Sequence, residues 1–214
     1  MYVKDAMSAN PYCINSATTV SSALDIMATN DFHRLPVVDE NGKLVGLITE
    51  GTITESSPSR ATSLSIHEIN YLLSKTKVDS IMIKKVITIG PDAVLEEAAT
   101  LMRNNEIGCL PVTVDEKVIG IITANDIFDA FINMLGYKTP GSRYVINVEN
   151  NTYGVMASIA KCFADKEVNI TNISTFYGPR GIEIIIITND KDVETMKKVL
   201  VDAQYDVTSA EVRN

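Results

Sequence analysis

Thr123 and Asp126 stand three residues apart at the head of an apolar run, Ile127-Phe128-Asp129-Ala130-Phe131-Ile132. A hydroxyl followed at this spacing by a carboxylate is the pattern of a capping box. The threonine oxygen accepts from a backbone N–H, and the carboxylate favours the positive end of the helix. That same helix end suits a phosphate, so a cap and an anion site can coexist there. His33-Arg34 is the other charged pair of note. The planar fork of Arg34 matches phosphate geometry, and the competing reading is a solvated arginine beside a partly buried histidine. Catalytic chemistry finds no constellation. Cys13, Cys109 and Cys162 lie far apart with no C-x-x-C, and His33 and His67 are the only histidines, so no zinc site is expected. Neither G-x-S-x-G nor a Walker loop occurs, and the chain reads as a non-enzyme.

The elements that must hold these residues are announced by an internal repeat. Val3-Lys4-Asp5-Ala6-Met7 and Val78-Asp79-Ser80-Ile81-Met82 lie 75 residues apart, as do Leu35-Pro36-Val37 and Leu110-Pro111-Val112. Gly46-Leu47-Ile48-Thr49 and Gly120-Ile121-Ile122-Thr123 lie 74 apart, because the turn Asp39–Lys43 is longer than its counterpart Asp115–Lys117. A repeat of this size means a tandem supersecondary unit. Each copy reads as a short strand (Tyr12–Ile14; Val86–Ile89), an amphipathic helix (Val20, Ala23, Leu24, Met27; Val94, Leu95, Ala98, Leu101, Met102) and a hairpin. The hairpins are Leu35–Val38 with Leu44–Thr49 and Leu110–Val114 with Val118–Thr123, and Asn41-Gly42 is a tight-turn signal. The polar stretch Ser56–Ser65 is a connection, and Ile66–Lys75 reads as a helix with Ile69, Leu72 and Leu73 on one side.

Beyond Gly136 the pattern changes. Residues 137–142 read as a linker. The tail then gives strand Tyr144–Val148, helix Gly154–Asp165, strand Ile170–Tyr177, turn Gly178–Gly181, strand Ile182–Thr188, helix Val193–Val201 and strand Tyr205–Val212. This βαββαβ order is ferredoxin-like. Ile182–Ile187, nearly all apolar, reads as a strand covered on both faces, by helices on one side and by a partner subunit on the other. The expected organisation is 1–60 first repeat, 61–77 connection and helix, 78–136 second repeat, 137–142 linker and 143–214 tail. The fold class is α+β.

Bulk properties bound the function. The 214 residues are 45% hydrophobic, enough for real cores, and carry a net charge of −8. That charge argues against a general nucleic-acid or membrane-surface binder, which needs a positive field. No apolar run approaches the roughly 20 residues of a membrane helix. The odd number of lone cysteines suits a reducing, cytosolic compartment.

With the repeat, the Leu-Pro-Val strands and Gly120-Ile121-Ile122-Thr123-Ala124-Asn125-Asp126 in view, residues 1–135 resemble a tandem pair of CBS domains, each copy β-α-β-β-α. The tail resembles an ACT domain through Val148-x-x-Asn151-Thr152-Tyr153-Gly154-Val155 and Asn169-Ile170. The combination, with the linker Ser57–Ser65, is similar to the acetoin-utilisation AcuB-type proteins of bacteria. The CBS resemblance implies a regulatory sensor, cytoplasmic and homodimeric, that binds an adenosine-containing ligand (AMP, ADP, ATP or S-adenosylmethionine) and signals to a downstream protein. It places Asp126 on the ribose diol, whose two donors match a carboxylate's two acceptors. It places Thr123 near ribose or phosphate and His33 and Arg34 at the phosphates. Ile87, Ile89, Leu110 and Pro111 are candidates for an adenine slot or, on their apolar character alone, plain core strand. A second site at Ile14, Leu35, Pro36, Thr49 and Thr52 is expected to be weaker, since Thr52 replaces the aspartate. The ACT resemblance implies a ligand position at Asn151 and Gly154, with an amino-acid sensor as the alternative function. Asn151 and Tyr153 stand where such domains often carry Asp and Pro, which favours assembly as the role of the tail.

Overall fold

The computed structural model describes residues 1–57, 65–149, 152–178 and 181–213. Most of the polar connection Ser56–Ser65, together with Asn151 and the Pro179-Arg180 turn, falls outside them. The chain divides into two compact units, Met1–Ile127 and Phe128–Asn214.

The first unit contains α1 (Val3–Ala6), β1 (Ser8–Ala9), β2 (Ile14–Asn15), α2 (Val20–Asn30), β3 (Arg34–Val38), β4 (Leu44–Thr49), α3 (Glu50–Ser56), α4 (Ile66–Lys75), α5 (Leu95–Asn104), β5 (Cys109–Val114), β6 (Lys117–Thr123) and the start of α6 (Ala124–Met134). Helix α2 starts because Thr19 Oγ1 accepts from the Ser22 N–H, and it buries Val20, Ala23 and Met27. Asp31, at φ 56°, ends it. The β3–β4 hairpin turns at Gly42, φ 78°, where Asp39 accepts from the backbone of Asn41 and Lys43. The strand expected at Val86–Ile89 is reduced to one parallel bridge, Ile89 to Val112. On α4, Leu73 packs against the first core while Leu72 is exposed, so the expected apolar side is only partly buried.

The two copies exchange their leading segments. Strand β1 of the first copy pairs with β6 of the second, Ser8 opposite Ile121. Ile83 of the second copy bridges Leu47 of the first. Two further bridges, Tyr2 to Val94 and Lys77 to Thr19, repeat the swap. The residues that the repeat preserves explain it. A Cβ on Gly120 would stand 2.3 Å from Met7 Sδ, and a Cβ on Gly46 would stand 2.4 Å from Met82 Sδ. Each methionine lies over the glycine of the opposite copy. Val78 and Met82 consequently belong to the first copy's core with Met27, Leu35 and Ile48.

The second unit adds β7 (Gly141–Val148), α7 (Val155–Ala164), β8 (Ile170–Gly178), β9 (Gly181–Thr188), α8 (Val193–Asp202) and β10 (Asp206–Arg213). Its sheet is antiparallel in the order β10-β7-β9-β8. The core holds Tyr144, Ile146, Ile159, Phe163, Ile184, Ile186, Met196 and Leu200, with Tyr144 and Phe163 edge to face at 5.4 Å. On the opposite face Ile187 is buried against the turn at Gly136, so part of the cover once assigned to a partner subunit comes from this chain's own turn. Strand β7 begins inside the stretch read as linker: Gly141 and Ser142 are sheet residues, and Ser142 Oγ donates to the Asp190 carbonyl at 2.7 Å. Among the described residues no helix is long and apolar enough to cross a membrane.

Two outcomes follow for denaturation measurements. Gly120→Ala overpacks against Met7 and costs about 1–3 kcal/mol, and adding Met7→Ala recovers part of that cost rather than adding its own. Additive losses would show that the contact does not couple the copies. Gly141→Ala costs more. Its φ is 143° and a Cβ would lie 1.8 Å from the Thr188 carbonyl oxygen, so about 2–5 kcal/mol is expected from strain and overlap together.

Candidate functional site

The exchange of leading segments builds a cleft. A cavity of about 480 Å³ lies within the first unit, inside the range of small-molecule sites. One wall is the β1–β2 segment Ser8–Tyr12. A second runs from the end of α2 into β3, Asp31–Pro36. The third comes from the second copy: Gly108, Ile121, Thr123 and the first turn of α6 at Ala124 and Asn125.

Arg34 is the one lysine or arginine lining the cleft. It is half-buried at the start of β3, and among the described residues no carboxylate lies within ion-pair distance of it. Its guanidinium lies over Gly108, where a Cβ would stand 3.4 Å from Nη1. A Cβ there would be in van der Waals contact with the guanidinium, and a side chain reaching further would compete for that space. His33 also lines the cleft, but its Nδ1 is engaged with Glu50 Oε2 at 3.0 Å. Arg34 is therefore the unpaired positive charge.

Thr123 and Asp126 form the capping box. Asp126 Oδ2 accepts from Thr123 N and Thr123 Oγ1, both at 2.7 Å, while the Asp126 N–H donates to Thr123 Oγ1 at 3.3 Å. Thr123 lines the cleft. Asp126 is half-buried one residue beyond its wall, with Oδ2 turned onto its own helix. In the first copy Thr49 caps α3 in the same way, accepting from Thr52 N at 3.1 Å, and the two hydroxyls meet at 2.8 Å.

The other expected residues are distributed differently from the sequence reading. Ile87, Ile89, Leu110 and Pro111 do not line the cleft; Ile89 and Leu110 are buried, at 5% and 0% exposure. The apolar surface comes from Leu35 and Pro36, assigned by sequence to the weaker site, with Ala9, Pro11, Tyr12, Phe32 and Ile121. The reason is the exchange, which sets the leading segment of one copy beside the last hairpin strand of the other. Ile14 is in the first copy's core. In the tail, Asn151 lies outside the described residues. Gly154 adopts φ 86° with nothing within 4 Å of a built Cβ, so its conformation, rather than a close approach, calls for glycine. Among the described residues no cluster of three or more His, Cys, Asp or Glu could hold a metal. Burial pushes the Cys13 thiol up, which disfavours the reactive thiolate. Sequence reasoning missed Ser8–Tyr12, Asp31, Phe32, Gly108 and Asn125. At Tyr12, Phe32 and Gly108 the signal available was the difference between copies, the counterparts being Ile87, Ile107 and His33.

The CBS-domain family profile matches residues 3–58 and 78–133, and the chain belongs to that family. A CBS domain-containing protein of Dictyostelium discoideum is 37% identical over 142 residues, 65% of this chain and 97% of the relative. A homoserine O-acetyltransferase of Methanohalobium evestigatum is 32% identical over 127 residues, which make up 59% of this chain but only 23% of that enzyme. Among solved structures, a Vibrio cholerae protein assigned to acetoin utilization (AcuB) superposes with a TM-score of 0.53 at 28% identity, covering 64% of this chain and 95% of that one. The CBS domain pair of protein MJ0100, in complex with 5′-methylthioadenosine and S-adenosyl-L-methionine, gives 0.52 at 30% identity and covers 62% and 97%. CBSX2 in complex with AMP gives 0.51 at 28% identity and covers 62% and 96%.

Thr49→Ala and Thr123→Ala each remove an acceptor at a helix start. Each is expected to lower the stability of the ligand-free protein by about 1 kcal/mol. Urea midpoints read this directly, and an unchanged midpoint in either variant would remove that cap from the account.

Proposed function

We propose that this chain is a regulatory sensor that binds an adenosine-containing nucleotide in the cleft formed by the exchanged repeats. The observation that carries the reading is Arg34, a cation without a carboxylate partner facing a cleft in a protein of net charge −8. The adenosine ligands of the MJ0100 and CBSX2 structures support the ligand class. In this reading Arg34 neutralises phosphate from the first copy. Thr123 contributes from the second copy, and Asp126 holds the ribose with its free oxygen, Oδ1. The tail acts as an ACT-like assembly domain that joins two chains in the cytoplasm and passes the signal to a downstream protein. The likeness to the Vibrio cholerae protein makes acetoin metabolism the first process to test. A ligand signals only through its preference for one arrangement over another, and a tenfold preference is worth about 1.4 kcal/mol.

A thermal-shift screen of AMP, ADP, ATP, S-adenosylmethionine and adenosine tests the reading. A ligand at 100 times its dissociation constant stabilises by about 2.7 kcal/mol. Arg34→Ala is expected to weaken the phosphorylated ligands by about 10- to 100-fold, the worth of a charge-assisted hydrogen bond, and to leave adenosine unchanged. Asp126→Ala abolishes most of the shift for all of them. Equal effects of Arg34→Ala on AMP and adenosine would remove Arg34 from the phosphate, and no shift with any ligand would end the nucleotide reading. Calorimetric counting is expected to find one site per chain; two equal sites would contradict the asymmetry between copies.

A further inference from the structure

Because the unit occurs twice, each residue of the cleft has an internal counterpart. Leu35 and Pro36 recur as Leu110 and Pro111, and the positive φ of Asp31, 56°, recurs at Glu106, 54°. Features that recur serve the shared fold. Asn10 does not recur. Its φ is 50°, whereas its counterpart Lys85 is not among the residues of positive φ. Pro11, which follows it, corresponds to Val86.

Asn10 lines the cleft. Its backbone N–H donates to the Ile119 carbonyl at 3.0 Å, which holds the segment in place. Its carboxamide makes no hydrogen bond among the described residues. A glycine would adopt this φ with less strain. Asparagine tolerates the conformation too, and it adds a donor and an acceptor on one short side chain. The two aromatic residues of the cleft are equally asymmetric: Tyr12 and Phe32 correspond to Ile87 and Ile107. Flat rings lining the same cleft as an exposed carboxamide that has no protein partner among the described residues suit a planar heterocycle with a paired donor and acceptor on one edge.

Resting on the nucleotide reading above, we propose that Asn10 reads the base, its carboxamide oxygen accepting from the 6-amino group of adenine and its nitrogen donating to N7. Adenine offers a donor and an acceptor on that edge; a 6-oxopurine offers two acceptors, and a carboxamide can satisfy only one of them. Asn10 thereby sets the specificity for 6-aminopurines, while Arg34 serves any phosphorylated ligand.

The test is calorimetric titration of the full chain with AMP and with IMP. The unmodified protein is expected to prefer AMP by about tenfold, within the range of one bidentate pair. Asn10→Gly keeps the backbone conformation and loses the carboxamide. It is expected to bring the ratio close to one, with AMP losing two hydrogen bonds and IMP at most one. Asn10→Asp also tolerates the φ and still accepts from the 6-amino group, but cannot donate to N7 or O6. It is expected to weaken IMP more than AMP and so to keep the preference for AMP; a ratio near one in Asn10→Asp would count against the assignment. Melting temperatures confirm that both variants fold. A ratio unchanged in Asn10→Gly would overturn the assignment of Asn10 and leave the nucleotide site standing. Binding of neither nucleotide by the unmodified protein would overturn the nucleotide reading and Asn10 with it.

Discussion

The contact of each repeat's methionine with the other repeat's glycine is the constraint on which the first unit depends. Met7 lies over Gly120 and Met82 over Gly46, and at both places the missing Cβ is what admits the sulfur. Close approach there lets Ser8–Ala9 pair with β6 and lets Ile83 bridge Leu47. The first copy does not complete its own core, since Val78 and Met82 of the second fill it. A duplicated unit that lends its leading segment to its twin folds as a pair, so cooperativity between copies is built into the chain. The cleft is a by-product of the same contact. It exists because the segment after the lent strand, Ser8–Tyr12, is laid against the end of β6 and the start of α6.

Much of this arrangement was legible in the residues, and what was not has identifiable causes. Hairpins and helices were readable because their signals are local: Asn41-Gly42 for a turn, and apolar spacing for α2 and α5. Even the methionine and glycine of the repeat were visible as a pattern. Their pairing across copies was not, because a contact between residues some 113 and 36 positions apart, Met7 with Gly120 and Met82 with Gly46, leaves no periodicity. That single omission moved the expected adenine slot to Ile87, Ile89, Leu110 and Pro111, which are absent from the cleft wall, and hid Ser8–Tyr12. The start of β7 was misplaced for a different reason. Pro140-Gly141-Ser142 has the composition of a loop, but Gly141 is required by its φ of 143° against the Thr188 carbonyl, inside the sheet.

Comparing the two copies separates what maintains the fold from what is free to specialise. Thr49 and Thr123 cap their helices alike, and each hairpin shifts register at the same place, Val37/Val38 and Val112/Thr113. Arg34 against Cys109 and His33 against Gly108 break the symmetry, and the small Gly108 of the second copy lies under the large Arg34 of the first. The cation therefore reaches across the pair without a steric conflict. In a chain with an excess of carboxylates, leaving that cation unpaired costs an available ion pair, though an exposed one worth only about 0–1 kcal/mol. The sacrifice in stability is small beside the roughly 1.5–3 kcal/mol that a charge-assisted contact with a ligand can return.

Asp126 presents the harder balance. Its Oδ2 is committed to Thr123, so it offers a ligand one free oxygen rather than the adjacent pair that a diol would use. The cap alone does not demand a carboxylate, because Thr52 occupies the equivalent position in the first copy and α3 starts from Thr49 all the same. The aspartate is thus more than the helix start requires, and the ribose contact proposed for it is compatible with the cap. Two hydrogen bonds from Thr123 fix the side chain before anything binds. Ordering a side chain of this kind on association would otherwise cost on the order of 0.5–1.5 kcal/mol. Fixing it during folding moves that cost out of the binding step, so a single pre-oriented oxygen can rival a pair that must first be immobilised.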